Sequence, residues 1–389
     1  MIDKVQISRD IDGLNGALRE VASFLHCNPE TGGQEFKAVR AITDFLAKES
    51  FEIQECVAGL PTAFIASIGP KEGQPHLVFL AEYDALPELG HACGHNLIAV
   101  AAMAAAVALS RQNRQGRVSV FGTPSEETDG GKIKMLNAGL FAGVDVAMMI
   151  HPGDGFMTHF SSLALNAFRF TFIGKPAHAA GSPQEGLNAL DAIILFFNGI
   201  GLLRQQLPDM TRVHGIIAEG GVAPNIIPDR TVAEIYVRCR SAVTLKEVSQ
   251  RVKKCATGAA EMTGTRVVIE DFESANDAMI NNSVLEQLFA DNLGELGVTT
   301  IKPPGNPTGS SDLGNVSCHI PSIQPFVAIC AAGVAAHTRD FAKAAASPEG
   351  FASAMLGAKA LAMTGADLLN SPEKIAEAKL DLQRSMTMI

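Results

Sequence analysis

The sequence predicts an α/β fold interrupted by an inserted α+β domain. In the first third of the chain, three short segments are almost wholly apolar and then end abruptly in polar residues, with alanine-rich helical stretches between them. Near the middle, the pattern changes to strands that alternate with long amphipathic helices. The 389 residues also exceed the roughly 100–200 residues of a typical domain, so we expect two domains.

The first domain should contain a mostly parallel sheet with helices on both faces. Its apolar segments begin at His76, Arg117 and Asp145 and read "HLVFLAEYDA", "RVSVFGTPSEE" and "DVAMMIHPGD". Strands that are apolar on both faces belong to a covered, mostly parallel sheet. The alanine-rich stretch 97–109 is helical, with Asn96 placed to cap it. Such sheets hold ligands beyond the carboxyl ends of their strands, where the polar endings fall.

The inserted domain is expected at residues 163–275, with the element order βαββαβ. Its strands read "LNAFRFTFIG", "TRVHGIIAEGG", "TVAEIYVRCR" and "TRVVIEDF", and its helices "EGLNALDAIILFFNGIGLLRQQL" and "LKEVSQRVKKCATGAAEMTG". This order is typical of a ferredoxin-like sandwich. Residues 1–162 and 276–389 then form the two parts of the first domain. The second part adds the strand "SIQPFVAIC" and the helix "SPEGFASAMLGAKALAMTGADLL".

Composition excludes several classes of partner. The net charge is -10 and no Lys/Arg cluster offsets it, so nucleic acid is not expected to bind. The most apolar run, 97–109, is shorter than the about 20 residues that a membrane span needs, so no membrane partner is expected. The N-terminus has no apolar signal core. Seven scattered cysteines do not suggest a disulfide framework, and we expect a cytoplasmic protein with reduced thiols.

Ligand-type side chains cluster in the stretch "AEYDALPELGHACGHN", residues 81–96. Cys93 and His95 lie in a predicted turn before a helix, and a thiolate with an imidazole is a good donor pair for zinc and related ions. Taken alone, this pair is better explained as a buried cysteine and a core histidine. Asp84 is placed to orient a ligand imidazole, and we interpret His91 either as a structural residue or as a residue that supports the ligands.

The next two apolar strands also end in ligand-type residues. Glu126 and Glu127 follow the second strand, and His151 follows the third. One carboxylate can bind a metal ion while its neighbour remains free as a general base. His337, in "CAAGVAAHTRDF", follows the late strand. Five ligands suit a two-metal site better than a closed structural zinc site. The expected metal ligands are Cys93, His95, Glu127, His151 and His337.

A series of motifs resembles the di-metal amidohydrolase and peptidase family, which includes aminoacylase, glutamate carboxypeptidase, hippurate hydrolase and the auxin-conjugate hydrolases. The motifs are "CNPETGGQE", "DALPELGHACGHN", "PSEET", "IHPGD", "GKPAHAAGSPQEGLNALDA", "PNIIPD" and "AAHTRDF". They occur in the family's order along essentially the whole chain. "GHACGHN" and "GSSDLGNVS" are most similar to the cysteine-containing branch with dipeptidases and aminobenzoyl-glutamate hydrolases.

The resemblance implies roles for further residues. It makes Glu126 the general base and gives the inserted domain the role of lid and dimerisation domain, so a homodimer is expected. His178 matches a histidine that reaches the partner subunit's active site and steadies the oxyanion. Asn225 and Arg238 match residues that hold the substrate's carboxylate, and they are equally well explained as a turn asparagine and a surface arginine. The chain departs from the family at Asn96, where many relatives have Asp, and at Glu82, where many have Asp or His; neither change removes a predicted ligand or the base.

The resulting functional prediction is a metal-dependent amidohydrolase for a small N-acyl amino acid, dipeptide or aminobenzoyl-glutamate-like substrate. A metal-activated water would attack the carbonyl, with Glu126 as the base. Two divalent ions are expected, zinc or manganese, with nickel or cobalt also compatible. One alternative is an aromatic aminohydrolase or deaminase that uses the same metal site. A metal-stabilised binding protein is a second alternative, but it would need no spare carboxylate beside Glu127.

Overall fold

The computed structural model describes residues 2–70, 74–112, 115–306 and 309–387. The chain separates into two compact units. Unit 1 comprises Met1–Ser161, Met279–Pro307 and Ser311–Ile389, and unit 2 comprises Ser162–Ala278 and Thr308–Ser310. Each unit has a hydrophobic core built from its own residues.

Unit 1 contains most of the helices and one large sheet. Its elements before unit 2 are α1 (Lys4–Cys27), α2 (Phe36–Lys48), β1 (Glu52–Glu55), β2 (Phe64–Ile68), β3 (His76–Ala81), α3 (His95–Gln112), β4 (Arg117–Gly122), α4 (Gly131–Asn137), β5 (Val146–Met148) and β6 (His151–Gly153). Its later elements are α7 (Ser283–Glu295), α8 (Leu313–Ser317), β11 (Ser322–Ile323), β12 (Phe326–Ala328), α9 (Arg339–Ala345), α10 (Pro348–Asn370) and α11 (Pro372–Thr387).

The large sheet has the strand order β1-β2-β4-β3-β5-β11. The four strands from β4 to β11 run parallel, and β2 and β1 add an antiparallel edge. Alternate residues of β3 point to opposite faces. Leu77 and Phe79 pack in the cluster that contains α1, α3 and α10 residues, whereas Val78 and Leu80 pack with α4 and α8 residues. The predicted α/β class, with a mostly parallel sheet covered on both faces, is confirmed.

Helix α3 passes through the core of unit 1. Every residue from His95 to Leu109 is buried, as expected for a helix that is apolar all round. Among the described residues, none of the helices combines the length and apolarity needed to cross a membrane. The predicted cap is wrong, because α3 already begins at His95 and the Asn96 amide lies inside it. That amide donates to the backbone oxygen of Ala345 at 3.0 Å instead.

Two predicted strands are each broken into two short ones. The segment "DVAMMIHPGD" ends its sheet strand at Met148, and His151 opens the separate strand β6. "SIQPFVAIC" supplies β11 to the large sheet and β12 to a two-stranded sheet with β6. In the first segment the break falls at Met149 and Ile150, and in the second it falls at Gln324 and Pro325. A proline lacks the backbone N–H that a continuous strand would use. The prediction that His151 ends the third strand of the large sheet is wrong, because that strand ends at Met148. His151 lies in the separate two-stranded sheet.

The elements of unit 2 are β7 (Ala164–Ile173), α5 (Ala189–Leu203), β8 (Arg212–Glu219), β9 (Arg230–Cys239), α6 (Ala242–Thr263) and β10 (Arg266–Asp271). The four strands form an antiparallel sheet with the order β10-β7-β9-β8. The core of unit 2 is formed by apolar residues of the sheet and of both helices. The chain order βαββαβ and the strand order are those of a ferredoxin-like sandwich.

His76, at the start of β3, should make the stability of unit 1 depend on pH. Burial, with the positive charge of Arg117, lowers the pKa of His76 to about 4. The folded unit binds a proton at His76 less readily than the unfolded chain does. The contribution of neutral His76 to stability is therefore fully present above pH 6.5, the ordinary pKa of histidine, and is lost as the pH falls toward 4. We expect a loss of about 2–3 kcal/mol between about pH 7 and about pH 4.5. Urea unfolding at both pH values should show this extra loss in the wild type relative to His76→Gln; equal losses would contradict it.

Candidate metal centre

The structure brings all five predicted ligands and Glu126 together in unit 1. Their ligand atoms form three overlapping groups, and within each group the atoms lie within 4.8 Å of one another. The groups are Cys93, His95 and His151; Cys93, Glu127 and His337; and Glu82, His95 and Glu126. Because Cys93 and His95 are each shared by two groups, the three form one cluster rather than three separate sites.

Each side chain reaches the cluster from the end of an element or from a loop. His95 is the first residue of α3, and Cys93 lies in the turn before it. The two glutamates lie in the loop between β4 and α4, and His151 opens β6. His337 lies just before α9 and has a φ of 62°. Its backbone N–H donates to the backbone oxygen of Ala92. The cluster therefore lies where parallel strands of an α/β sheet end, as the sequence predicts.

Hydrogen bonds on Nδ1 turn the Nε2 atoms of two histidines toward the cluster. His95 Nδ1 lies 2.8 Å from Asp84 Oδ1, and His151 Nδ1 lies 2.8 Å from the backbone oxygen of Pro152. Because that carbonyl can only accept, His151 carries its proton on Nδ1, and the Asp84 carboxylate favours the same tautomer of His95. Each Nε2 then presents a lone pair to the cluster. A carboxylate behind a ligand imidazole is a common support at metal sites.

Unpartnered buried atoms point to a cation at this place. His95 Nε2 and Glu127 Oε1 are buried without a hydrogen-bond partner and lie 3.9 Å apart. His337 Nε2 lies 3.3 Å from the same Glu127 oxygen, and Cys93 Sγ lies 3.5 Å from His151 Nε2. Thiolate, imidazole and carboxylate donors at this spacing suit zinc and similar divalent ions. The residues present therefore fit the expected metal ions.

The two adjacent glutamates have opposite pKa shifts. Burial raises the pKa of Glu127, but the adjacent His337 ring and the charge of His95 outweigh this effect, so its pKa falls to about 2. Burial and the negative charge of Glu82 raise the pKa of Glu126 well above its usual range. Glu127 is therefore suited to remain an anionic ligand, whereas Glu126 is suited to bind and release a proton.

The turn that carries these glutamates is held by two carboxylates from distant segments. Ser125 has a φ of 62°, which is uncommon for a residue with a side chain. Its N–H donates to Glu35 Oε1 at 2.9 Å, and the Glu127 N–H donates to Asp84 Oδ2 at 2.9 Å. The second Glu35 oxygen accepts from Thr62 Oγ1 at 2.7 Å. These bonds fix the strained turn and hence the direction of both glutamates.

Three buried charged residues near the cluster were not predicted from the sequence: Glu35, Lys132 and Asp312. Lys132 Nζ contacts the carboxylates of Glu82 and Asp312, and the backbone N–H of Lys132 also donates to Asp312. Glu35 and Asp312 stand inside the motifs "CNPETGGQE" and "GSSDLGNVS", which was the available signal. Lysines are mostly exposed, so no sequence signal marked Lys132 as a buried residue.

Unit 2 contains the remaining predicted residues. His178 and Asn225 are exposed and lie on neighbouring segments, because Ala179 N–H donates to the Asn225 backbone oxygen at 3.0 Å. Two backbone N–H groups donate to His178 Nδ1, which leaves Nε2 as the proton-bearing nitrogen. Arg238, on β9, donates to Ser310 Oγ at 2.8 Å and stacks over the Tyr236 ring.

The fold and the ligand cluster are those of a metal-dependent hydrolase of the peptidase and amidohydrolase class. Residues 78–352 match peptidase family M20/M25/M40. The chain belongs to this family and is an enzyme. This confirms the family resemblance carried by the sequence motifs.

Curated relatives cover most of the chain. It is 36% identical to the Xaa-Arg dipeptidase of Homo sapiens over 98% of this chain and 92% of the relative. It is 33% identical to one subunit of the p-aminobenzoyl-glutamate hydrolase of Escherichia coli, over 72% of this chain and 62% of that subunit. A dinuclear metal-binding M20 peptidase from Bacillus subtilis superposes with a TM-score of 0.71 at 21% identity, over 92% and 99% of the two chains. None of these three is named for deamination, so the alternative of aromatic deamination is not supported.

Proposed function

We propose that the protein hydrolyses the amide bond of a dipeptide or a related N-acyl amino acid, using two divalent ions at the cluster around Cys93 and His95. The observation that carries this proposal is the convergence of buried, unpartnered ligand atoms beside a second carboxylate. His95 Nε2 lies 3.9 Å from Glu127 Oε1 and 4.0 Å from Glu126 Oε2. A binding or structural site would not need that second carboxylate.

The residues divide the chemical work. Divalent ions held by Cys93, His95, Glu127, His151 and His337 would acidify a water molecule and polarise the substrate carbonyl. Glu126 accepts the proton that the water loses and passes it to the leaving amine. Asp84 keeps His95 in the tautomer that leaves Nε2 free. Zinc and manganese are our candidate ions, because the donor set mixes sulfur, nitrogen and oxygen.

We propose a substrate whose leaving amine belongs to an amino acid with a free carboxylate. The names of two relatives, an Xaa-Arg dipeptidase and an aminobenzoyl-glutamate hydrolase, both describe such an amide. Asn225 and Arg238 would bind the carboxylate, since an amide and a guanidinium both donate to it. His178 would stabilise the oxyanion, because its Nδ1 accepts two backbone hydrogen bonds and its Nε2–H remains available to donate.

A homodimer through unit 2 is also part of the proposal. Strand β8 is at the edge of its sheet and is paired on one side with β9. Its Ile216 and Ile217 side chains are 60% and 44% exposed. An exposed apolar edge strand is a ready place for a second chain to add. Sedimentation of the purified protein tests this, and a monomer at micromolar concentration would contradict it.

We further propose a cytoplasmic location. Among the described residues, none of the seven cysteines forms a disulfide. Cys93 is a proposed ligand that binds as a thiolate, so its oxidation would remove a donor from the centre. A reducing compartment keeps such a thiol available. Fractionation of the native cells, followed by activity measurement, tests the location.

Metal removal and a substrate panel test the proposed reaction. The protein should hydrolyse Xaa-Arg dipeptides or p-aminobenzoyl-glutamate, lose activity after dialysis against a chelator, and regain it when Zn²⁺ or Mn²⁺ is added. The matched control is the same amide with its carboxylate blocked as a carboxamide, which should be a much poorer substrate. Full activity in the chelated protein, or equal rates on the blocked amide, would contradict the proposal.

A further inference from the structure

Lys132 is a buried lysine that contacts two carboxylates next to the cluster of proposed metal ligands. It is 0% exposed, and its Nζ lies 2.5 Å from Glu82 Oε1 and 2.6 Å from Asp312 Oδ1. Asp312 Oδ2 accepts the Lys132 N–H at 2.9 Å, so both Asp312 oxygens are used. A pair of Lys132 with Asp312 would already be neutral. Glu82 therefore adds an uncompensated negative charge in a place without solvent, where an isolated charge is strongly unfavourable.

The second oxygen of Glu82 faces the cluster. Glu82 Oε2 is buried without a hydrogen-bond partner and lies 3.3 Å from His95 Nε2, which also has none. His95 donates through Nδ1 to Asp84, so Oε2 and Nε2 face each other as two acceptors. Only a proton or a metal cation between them makes this approach favourable. Two ligand atoms bound at about 2.0–2.2 Å to one tetrahedral ion are about 3.3–3.5 Å apart, which is the separation observed here.

We infer that Glu82 is a sixth ligand of the metal centre, on the same ion as His95, and that Lys132 and Asp312 are positioning residues that aim its free oxygen at that ion. The inference rests on the proposed function, because it takes the metal ions as given. Lys132 occupies one Glu82 oxygen and prevents the carboxylate from rotating away. The negative charge that remains on the Glu82–Lys132–Asp312 triad then offsets part of the charge of the ion.

Glu82→Gln is the direct test, with Co²⁺ as the probe. Glutamine keeps the volume and an oxygen for Lys132 but removes the charge. We expect the variant to bind Co²⁺ at least about tenfold more weakly and with an altered visible absorption spectrum, which reports the ligands of the ion. Glu295→Gln is the matched control, because Glu295 also pairs with a lysine, Lys4, outside the cluster. It should bind Co²⁺ as the wild type does.

Lys132→Met tests the positioning role, and Lys4→Met is its control. Lys4 also joins two acids, Glu295 and Asp367, but neither of them contacts a proposed ligand. We expect an altered Co²⁺ spectrum for Lys132→Met and a wild-type spectrum for Lys4→Met. If Lys132→Met does not fold, a crystal structure of the Co²⁺-loaded wild type replaces it. Glu82 Oε2 should then lie about 2.0–2.2 Å from an ion.

The outcomes separate the two proposals. A wild-type Co²⁺ affinity and spectrum in Glu82→Gln, or a Glu82 oxygen more than ~3.5 Å from every ion, overturns the sixth ligand and leaves the proposed function intact. A wild-type protein that binds no Co²⁺ overturns the metal centre and both proposals with it.

Discussion

Replacing Glu126 with glutamine is expected to lower kcat by about 10²–10⁴-fold while the protein keeps its metal. A glutamine side chain would fill the same space but could not accept a proton from water. Glu126 is the carboxylate suited to this role because burial and the charge of Glu82 raise its pKa. Glu127, whose pKa is lowered to about 2, should remain an anionic ligand. Steady-state kinetics and elemental analysis of the same preparation provide both measurements.

The control for this prediction is Glu261→Gln, an exposed change on α6. It should leave kcat and the metal content unchanged. A kcat for Glu126→Gln within tenfold of the wild type would rule out the general-base role. If the variant instead lost its metal in proportion to its activity, Glu126 would be a ligand and the base would have to be sought elsewhere.

Asp84→Asn is expected to weaken metal binding by about 10–100-fold. Asp84 accepts from two donors, the His95 Nδ1–H at 2.8 Å and the Glu127 N–H at 2.9 Å. An asparagine offers one acceptor and one NH₂ group, so one of these donors would face another donor. Both contacts orient a proposed ligand, and the loss should therefore appear as a weaker affinity. Titration of the metal-free protein with Zn²⁺ measures it.

Activity should distinguish this effect from general damage to the fold. We expect excess Zn²⁺ to restore much of the activity of Asp84→Asn, since the base at Glu126 is still present. Asp145→Asn is the control, because Asp145 also accepts from a backbone N–H, that of His76 at the start of β3. It should bind Zn²⁺ normally. An unchanged Zn²⁺ affinity in Asp84→Asn would show that Asp84 does not support the centre.

The sequence predicted those features that depend on local pattern. Runs that are apolar on both faces identified β3 and β4, and the alternation of strands and helices identified the order of elements in unit 2. The cluster could be predicted because ligand-type residues follow consecutive strands, and such strand ends meet at one edge of a parallel sheet. None of these predictions required knowledge of side-chain contacts.

Features that depend on pairing across the chain could not be predicted. The apolar run before His151 gave no sign that its strand would stop at Met148 and restart in a second sheet. Asn96 had the residue type and place of a helix cap, but its amide instead bonds the backbone of Ala345, distant in sequence. No local pattern around Lys132 indicated that its side chain would contact Glu82, which precedes it in the chain, and Asp312, which follows it.

The Glu82–Lys132–Asp312 triad also bears on how the protein is made. Glu82 and Lys132 precede unit 2 in the chain, whereas Asp312 and the ligand His337 follow it. During synthesis, unit 2 has its whole hydrophobic core available before Asp312 has left the ribosome. Until then, Lys132 lacks one of its two acids and the ligand set lacks one histidine. The metal centre is therefore expected to be among the last parts of the protein to form, and a chain that stops before residue 312 should be unable to complete it.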